Sequence, residues 1–122
     1  MKILIVEDRP SVVQLYSSLI PNRIKGAEIL HATTLAQAAG LFGKNSKEIE
    51  AVVMDGCLEG NGTTLDTLEL TKLIRESGFK GPMIANSSDW NNRQLLKAGC
   101  DHETIGKGDV PDFLKALLLG PV

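Results

Sequence analysis

Two adjacent acids, Glu7 and Asp8, follow the aliphatic run Ile3-Leu4-Ile5-Val6, and a third acid, Asp55, closes a second run, Ala51-Val52-Val53-Met54. A hydroxyl, Ser87, ends a third apolar stretch, and Lys107 stands in the turn before the last helical pattern. Acid pair, lone acid, hydroxyl and cation, in that order, are the parts needed to pass a phosphoryl group to a carboxylate. A lone aspartate is a weak nucleophile; it becomes useful through positioning and through neutralisation of the phosphoryl oxygens. Magnesium takes an octahedral shell of oxygens, commonly one or two carboxylates with waters and phosphoryl oxygens. Asp8 and Asp55 can supply the carboxylates, and the backbone carbonyl of Cys57 stands where the loop after Asp55 can turn back to the metal. Glu7 suits a contact through water. Lys107 would pair with one phosphoryl oxygen, and the Ser87 hydroxyl would donate to another.

These residues work together only if the elements carrying them converge. Lys2–Val6 reads as a first strand, continuously aliphatic as a sheet covered on both faces requires. Pro10 suits the first turn of a helix whose apolar positions are Val12, Leu15, Tyr16, Leu19 and Ile20, with Pro21 expected to end it. Ala27–Ala32 is a weaker second strand, and Thr34-Leu35-Ala36-Gln37 is a capping box opening a helix through Phe42. Val52–Asp55 is the core of a third strand, followed by a glycine-containing loop, Gly56–Gly62. Thr64–Arg75 reads as a helix, Pro82–Asn86 as a fourth strand, and Asp89–Ala98 as a helix ended by Gly99. A poorly marked fifth strand is expected around Glu103–Ile105. The last helix starts near Asp109, with Val110, Phe113, Leu114, Leu117 and Leu118 as its apolar stripe. Five strand–helix repeats with short connections predict an α/β fold: a doubly wound parallel sheet with helices on both faces. Ligands of such sheets sit at the carboxyl ends of the strands, where the strand order reverses. Every member of the opening set falls at such an end.

The bulk composition fits one soluble domain spanning 1–122. The chain has 122 residues, 43% of them hydrophobic and 23% charged, ordinary values for a globular domain. A net charge of -2 argues against a broad nucleic-acid-binding or anionic-membrane surface. No apolar run approaches the ~20 residues of a transmembrane helix. Cys57 and Cys100 lack metal-ligand spacing and read as free thiols, which with the short first apolar run makes the cytoplasm the expected compartment.

Taken in order, the motifs resemble those of the receiver domain of bacterial two-component response regulators, over essentially the whole chain. Ile5-Val6-Glu7-Asp8-Arg9-Pro10 resembles the acidic-pair motif and Val53-Met54-Asp55 the phosphoacceptor strand. Pro82-Met83-Ile84-Ala85-Asn86-Ser87-Ser88 resembles the strand ending in the switch hydroxyl, and Lys97-Ala98-Gly99-Cys100-Asp101 the step before the fifth strand. The resemblance implies a flavodoxin-like (βα)5 fold with strand order 2-1-3-4-5. It implies phosphorylation of Asp55 by a sensor histidine kinase or phosphotransfer protein, with Mg2+ at Glu7, Asp8, Asp55 and the Cys57 carbonyl. It also implies that Ser87 moves inward and that the surface of helix 4, strand 5 and helix 5 is remodelled for an output protein. Such a domain is a signalling module rather than an enzyme, either monomeric or a phosphorylation-promoted homodimer, with no direct contact to nucleic acid or membrane.

Four features depart from that pattern. The acid pair is Glu7-Asp8 rather than Asp-Asp, and Gly108 follows Lys107 where proline is customary. The interval from Gly99 to Lys107 is one residue longer, and the aromatic position of strand 5 falls on Glu103 or Thr104, which excludes a Tyr or Phe rotamer switch. The alternative is therefore a degenerate receiver that serves as a phosphorylation-independent interaction module. A dinucleotide or nucleoside-triphosphate site is excluded by the lack of a Gly-x-Gly-x-x-Gly or Walker loop. A haloacid-dehalogenase-like phosphatase would need an acid where Cys57 stands. A stand-alone regulator and a domain excised from a longer chain are both compatible with the sequence.

Overall fold

The aliphatic run after Met1 becomes β1 (Lys2–Val6), in which Ile3, Leu4, Ile5 and Val6 are all fully buried. In the computed structural model, which describes residues 1–58 and 64–120, β1 is the middle of the fold's first three strands. The other strands are β2 (Glu28–Ala32), β3 (Ile49–Met54), β4 (Met83–Ala85) and β5 (His102–Glu103). They form one parallel sheet in the order β2-β1-β3-β4-β5, as expected. The helices are α1 (Pro10–Arg23), α2 (Leu35–Asn45), α3 (Leu68–Glu76), α4 (Asp89–Ala98) and α5 (Val110–Leu119).

Alternation along the strands divides the core in two, because successive strand side chains point to opposite faces. Leu4, Val6, Val52, Met54, Met83 and Ala85 pack with Ala38, Phe42, Leu70, Ile74 and Leu95 from α2, α3 and α4. Ile3, Ile5, Ala51, Val53 and Ile84 pack with Val12, Tyr16, Ile20, Val110 and Leu114 from α1 and α5. Both faces being covered explains why β1 and β3 read as unbroken apolar runs. No described helix is long and apolar enough to cross a membrane.

Several boundaries differ from the sequence expectation, each for a local reason. Pro21 does not end α1, which continues to Arg23 with Pro21 in its last turn. There the exposed ring removes one helical N–H, while buried Ile20 and Ile24 hold the chain to the sheet and Ile24 N still donates to Ile20 O at 2.8 Å. The helix expected from Thr64 begins only at Leu68, because Asp66 and Thr67 bond back to the turn after β3: Asp66 N donates to Gly56 O, and the Thr67 hydroxyl to Asp55 O. The capping residue of α2 is Thr34, which accepts from Gln37 N, but Gln37 Oε1 reaches Thr33 rather than Thr34. That helix runs to Asn45, beyond Phe42. β5 is His102–Glu103 rather than Glu103–Ile105, and Ile105 leaves the sheet with 83% exposure. Lys107–Asp109 forms a 3-10 turn ahead of α5. Within the loop expected at Gly56–Gly62, positions 59–62 lie outside the described residues.

Arg75 pins the end of the sheet remote from the acids. Its Nε donates to Gly99 O at 2.7 Å, and its Nη1 to Phe79 O and Gly81 O at 2.9 and 2.8 Å. Gly99 follows α4 with φ of 146°, and a Cβ there would lie 2.5 Å from Arg75 Cγ. Gly99→Ala is therefore expected to cost about 2 kcal/mol or more, from a disfavoured φ and displacement of a bonded arginine. Thermal melting reads this directly; a melting temperature equal to wild type would show that the arginine is not held there.

Candidate functional site

The parallel ladder extends one residue past each strand, and that extension builds the site. Glu7 N donates to Ala32 O, Asp55 N to Val6 O, Asn86 N to Met54 O, and Thr104 N to Ala85 O, all at 2.9–3.0 Å. Glu7, Asp55, Asn86 and Thr104 thus stand in one row along the carboxyl edge, and the strand order turns back between β1 and β3 where Glu7 and Asp55 are neighbours. The structure brings together the acids singled out in the sequence: carboxylate oxygens of Glu7, Asp8 and Asp55 all lie within 4.8 Å of one another.

Lys107 reaches this cluster from the loop after β5. Its Nζ lies 2.8 Å from Glu7 Oε1, 3.4 Å from Asp55 Oδ1 and 2.6 Å from Asn86 O, to which it donates. The sequence reading gave Glu7 a contact through water. In the structure Glu7 is 1% exposed and is the nearest acid to the ammonium. Its Oε2 also accepts from Arg9 N at 3.1 Å, with Arg9 Nε at 3.6 Å.

Charge is unequally shared as a result. Burial pushes the Glu7 carboxyl up, but the Lys107 ammonium and the Arg9 contacts outweigh it and hold the group below its ordinary value. Asp8 moves the other way, raised by burial and by its contact with Glu7. Asp55 is raised to about 6, chiefly by burial and further by Glu7, against the opposing pull of Lys107. Two of three clustered acids are thus short of positive charge. An all-oxygen donor set in that condition fits a hard divalent cation such as Mg2+.

Asp55 itself is held firmly. Its Oδ1 accepts from Gly56 N at 2.8 Å, and its carbonyl accepts from the fully buried Thr67 hydroxyl at 2.8 Å. Thr67 and Asp66 N also bond Gly56 O, which fixes the turn leading to Cys57. Ser87 is half-buried, and its Oγ accepts from Asn91 Nδ2 at 3.0 Å. The same amide donates to Cys57 Sγ at 3.5 Å. A Cβ on Gly56 would lie 2.8 Å from Ser87 Oγ and 2.9 Å from Asn91 Nδ2, so the serine hydroxyl abuts the backbone next to Asp55. Burial pushes the Cys57 thiol up from its ordinary value, against the opposing hydrogen bond from Asn91.

Thr67, Asn86, Asn91, Asn92 and Thr104 are site-supporting residues that the sequence reading did not assign. For the asparagines the one signal was the density of polar residues in Asn86-Ser87-Ser88-Asp89-Trp90-Asn91-Asn92, and no such run marks Thr67 or Thr104. His31 bonds Glu7 O through Nε2 at 2.9 Å. His102 packs edge-on against Phe113. Trp90 is 57% exposed.

No family model matches the chain, and no curated protein matches it. Solved structures do. The signal receiver domain of a DNA-binding response regulator from Colwellia psychrerythraea 34H is 18% identical, with 98% of each chain covered and a TM-score of 0.79. A phosphorylated cyanobacterial phytochrome response regulator, RcpA, is 14% identical over 99% of this chain and 96% of that one, with a TM-score of 0.79. The CheX–CheY–BeF3–Mg2+ complex from Borrelia burgdorferi gives 16% identity over 100% of this chain and 90% of that one, with a TM-score of 0.74. The chain therefore has the flavodoxin-like fold of response-regulator receiver domains.

Proposed function

We propose that the chain is a working receiver domain of a two-component phosphorelay, in which Asp55 accepts a phosphoryl group from a histidine kinase or phosphotransfer protein. The observation that carries this reading is the convergence of Glu7, Asp8 and Asp55 oxygens within 4.8 Å with Lys107 Nζ 3.4 Å from Asp55. Supporting it, one neighbour of the same fold is described as phosphorylated and another as a complex with BeF3 and Mg2+.

In this reading Asp8, Asp55 and the Cys57 carbonyl would hold Mg2+, with Glu7 contacting it through water, and the bound cation would supply charge neutralisation for the phosphoryl oxygens. A carboxylate oxygen of Asp55 attacks phosphorus, the bond from phosphorus to the donor's imidazole nitrogen breaks, and that nitrogen keeps the electron pair. Gly56 N and Thr67 fix the rotamer and backbone of the nucleophile. Lys107 pairs with a phosphoryl oxygen, drawn from a position between Glu7 and Asp55. The Ser87 hydroxyl keeps its own proton free, since it accepts from Asn91, and donates it to another phosphoryl oxygen. The state is then read by an output protein, or by a second copy of the chain. The domain turns over no free substrate in this account, and no role in binding nucleic acid or membrane is assigned to it.

The degenerate-receiver reading draws on Lys107 being already engaged by Glu7 and Asn86 O and on the non-aromatic Glu103 and Thr104. Titration with Mg2+ separates the two: one cation bound by wild type and lost in Asp8→Asn supports the working receiver. Equal, negligible binding by both proteins favours the degenerate one.

A further inference from the structure

Lys107 is the cation of the site, yet its own surroundings in sequence do little to hold it. Glycines flank it on both sides, and Gly108 has open space around it. β5 has already ended at Glu103, and Ile105 points into solvent. Something outside the loop must fix the ammonium.

We propose that Asn86 is the positioning residue for Lys107, clamping the loop from Thr104 to Lys107 onto the end of β4. This rests on the reading of Lys107 as the site's cation. Asn86 is 1% exposed and continues the ladder through its N–H to Met54 O. Its carbonyl takes the Lys107 ammonium at 2.6 Å. Its side-chain Nδ2 donates to Thr104 Oγ1 at 2.6 Å and to Gly106 O at 3.2 Å, the carbonyl just before Lys107. One residue thus holds both the charged tip of the lysine and the backbone from which it springs.

Asn92 completes the clamp from α4. Fully buried, it donates from Nδ2 to Thr104 O at 3.2 Å and accepts Ser87 N on Oδ1 at 2.8 Å. The lysine loop, at Thr104, and the serine segment, at Ser87, are therefore tied through Asn92. A buried asparagine serving only the backbone would be expected to satisfy both halves of its amide. Among the described residues the buried acceptor Oδ1 has no partner, whereas the donor half and the carbonyl both hold the lysine loop.

The test is the chemical reactivity of Lys107 in the full chain, read by mass spectrometry after brief treatment with an amine-acylating reagent. Exposed Lys44 and Lys80 serve as internal references. Asn86→Leu is expected to raise Lys107 reactivity about fivefold as the loop opens locally. Thr104→Val gives a smaller rise, and Thr104→Ser, which keeps the hydroxyl, leaves Lys107 protected. Phosphoryl acceptance by Asn86→Leu falls about tenfold because the cation is misplaced, while Mg2+ affinity is retained. Circular dichroism checks folding, and Thr104→Val carries the test if Asn86→Leu does not fold. Unchanged Lys107 reactivity in every folded variant that has lost a clamp bond overturns the proposal. The footprint needs no phosphoryl group: increased reactivity in a protein that never accepts one would uphold the clamp and sink the receiver function instead.

Discussion

Asp55→Asn is expected to make the metal-free protein more stable above neutral pH, not less. The Asp55 carboxyl is buried, and its pKa rises from 3.8 to about 6 in the folded protein. An acid whose folded value is raised holds its proton better folded than unfolded, so ionisation works against the fold. Its favourable contribution is complete at pH below the unfolded value. It is lost between about pH 4 and pH 6, and stays lost above. A shift of that size corresponds to roughly 3 kcal/mol. That shift is already net of the Lys107–Asp55 attraction, so the expected gain is on the order of 3 kcal/mol, or several degrees of melting temperature. Asparagine keeps an oxygen to accept from Gly56 N. Melting in a chelator at about pH 8 and about pH 5 should show the advantage of Asp55→Asn at the higher pH and its disappearance at the lower. Saturating Mg2+ should close the gap by stabilising wild type. A variant less stable than wild type at the higher pH would contradict the electrostatic picture of the site.

Lys107→Met should have the opposite effect on stability and a larger one on chemistry. The Glu7 side chain is 2% exposed and its closest cation is Lys107 at 2.8 Å. Removing one partner of a buried pair costs about 3–5 kcal/mol when the remaining charge stays. Arg9 near Oε2 and uptake of a proton by Glu7 bring the expected loss to about 2 kcal/mol at neutral pH. Glu7, now held below its ordinary value, would then move upward, and the loss of stability should shrink as the medium is acidified. Phosphoryl acceptance should fall by roughly a hundredfold, the scale seen when one preorganised donor to developing charge is removed. The double variant Glu7→Gln/Lys107→Met separates the two effects. Stability should recover because the orphaned charge is gone, while phosphoryl acceptance stays low. Recovery of both would assign Lys107 a purely structural role.

The fold was legible because its strongest signals are local. Unbroken aliphatic strands between helices of period 3.6 permit little besides a doubly covered parallel sheet, and Ile3 to Val6 alone mark its centre. The acids were legible for the same reason, since each ends such a strand. Boundaries set by tertiary bonds were not. Thr67 looks like a helix residue until its hydroxyl is seen on Asp55 O, and Pro21 looks like a stop until buried Ile20 and Ile24 are seen holding the last turn.

The pairing of charges was equally hidden. A sequence places Glu7, Asp55 and Lys107 at the same edge, but only the geometry puts the ammonium closer to Glu7 than to Asp55. The asparagines were hidden for a different reason. Polar residues after a strand read as turn and cap material, and Ser88 does cap α4 by accepting from Asn91 N. Nothing in the spacing separates that asparagine's N–H from the amide that reaches Ser87, or from buried Asn86 and Asn92. The missing aromatic of strand 5 was read as a loss. The structure places there a buried Thr104 bonded to both Asn86 and Asn92.

Incubation of the chain with Mg2+ and a small phosphodonor such as acetyl phosphate or phosphoramidate, followed by intact-mass measurement, tests the central claim most directly. The account predicts one added phosphoryl group on wild type, stable in acid, labile in base, dependent on Mg2+ and absent from Asp55→Asn. No adduct on wild type, or the same adduct on Asp55→Asn, would contradict it.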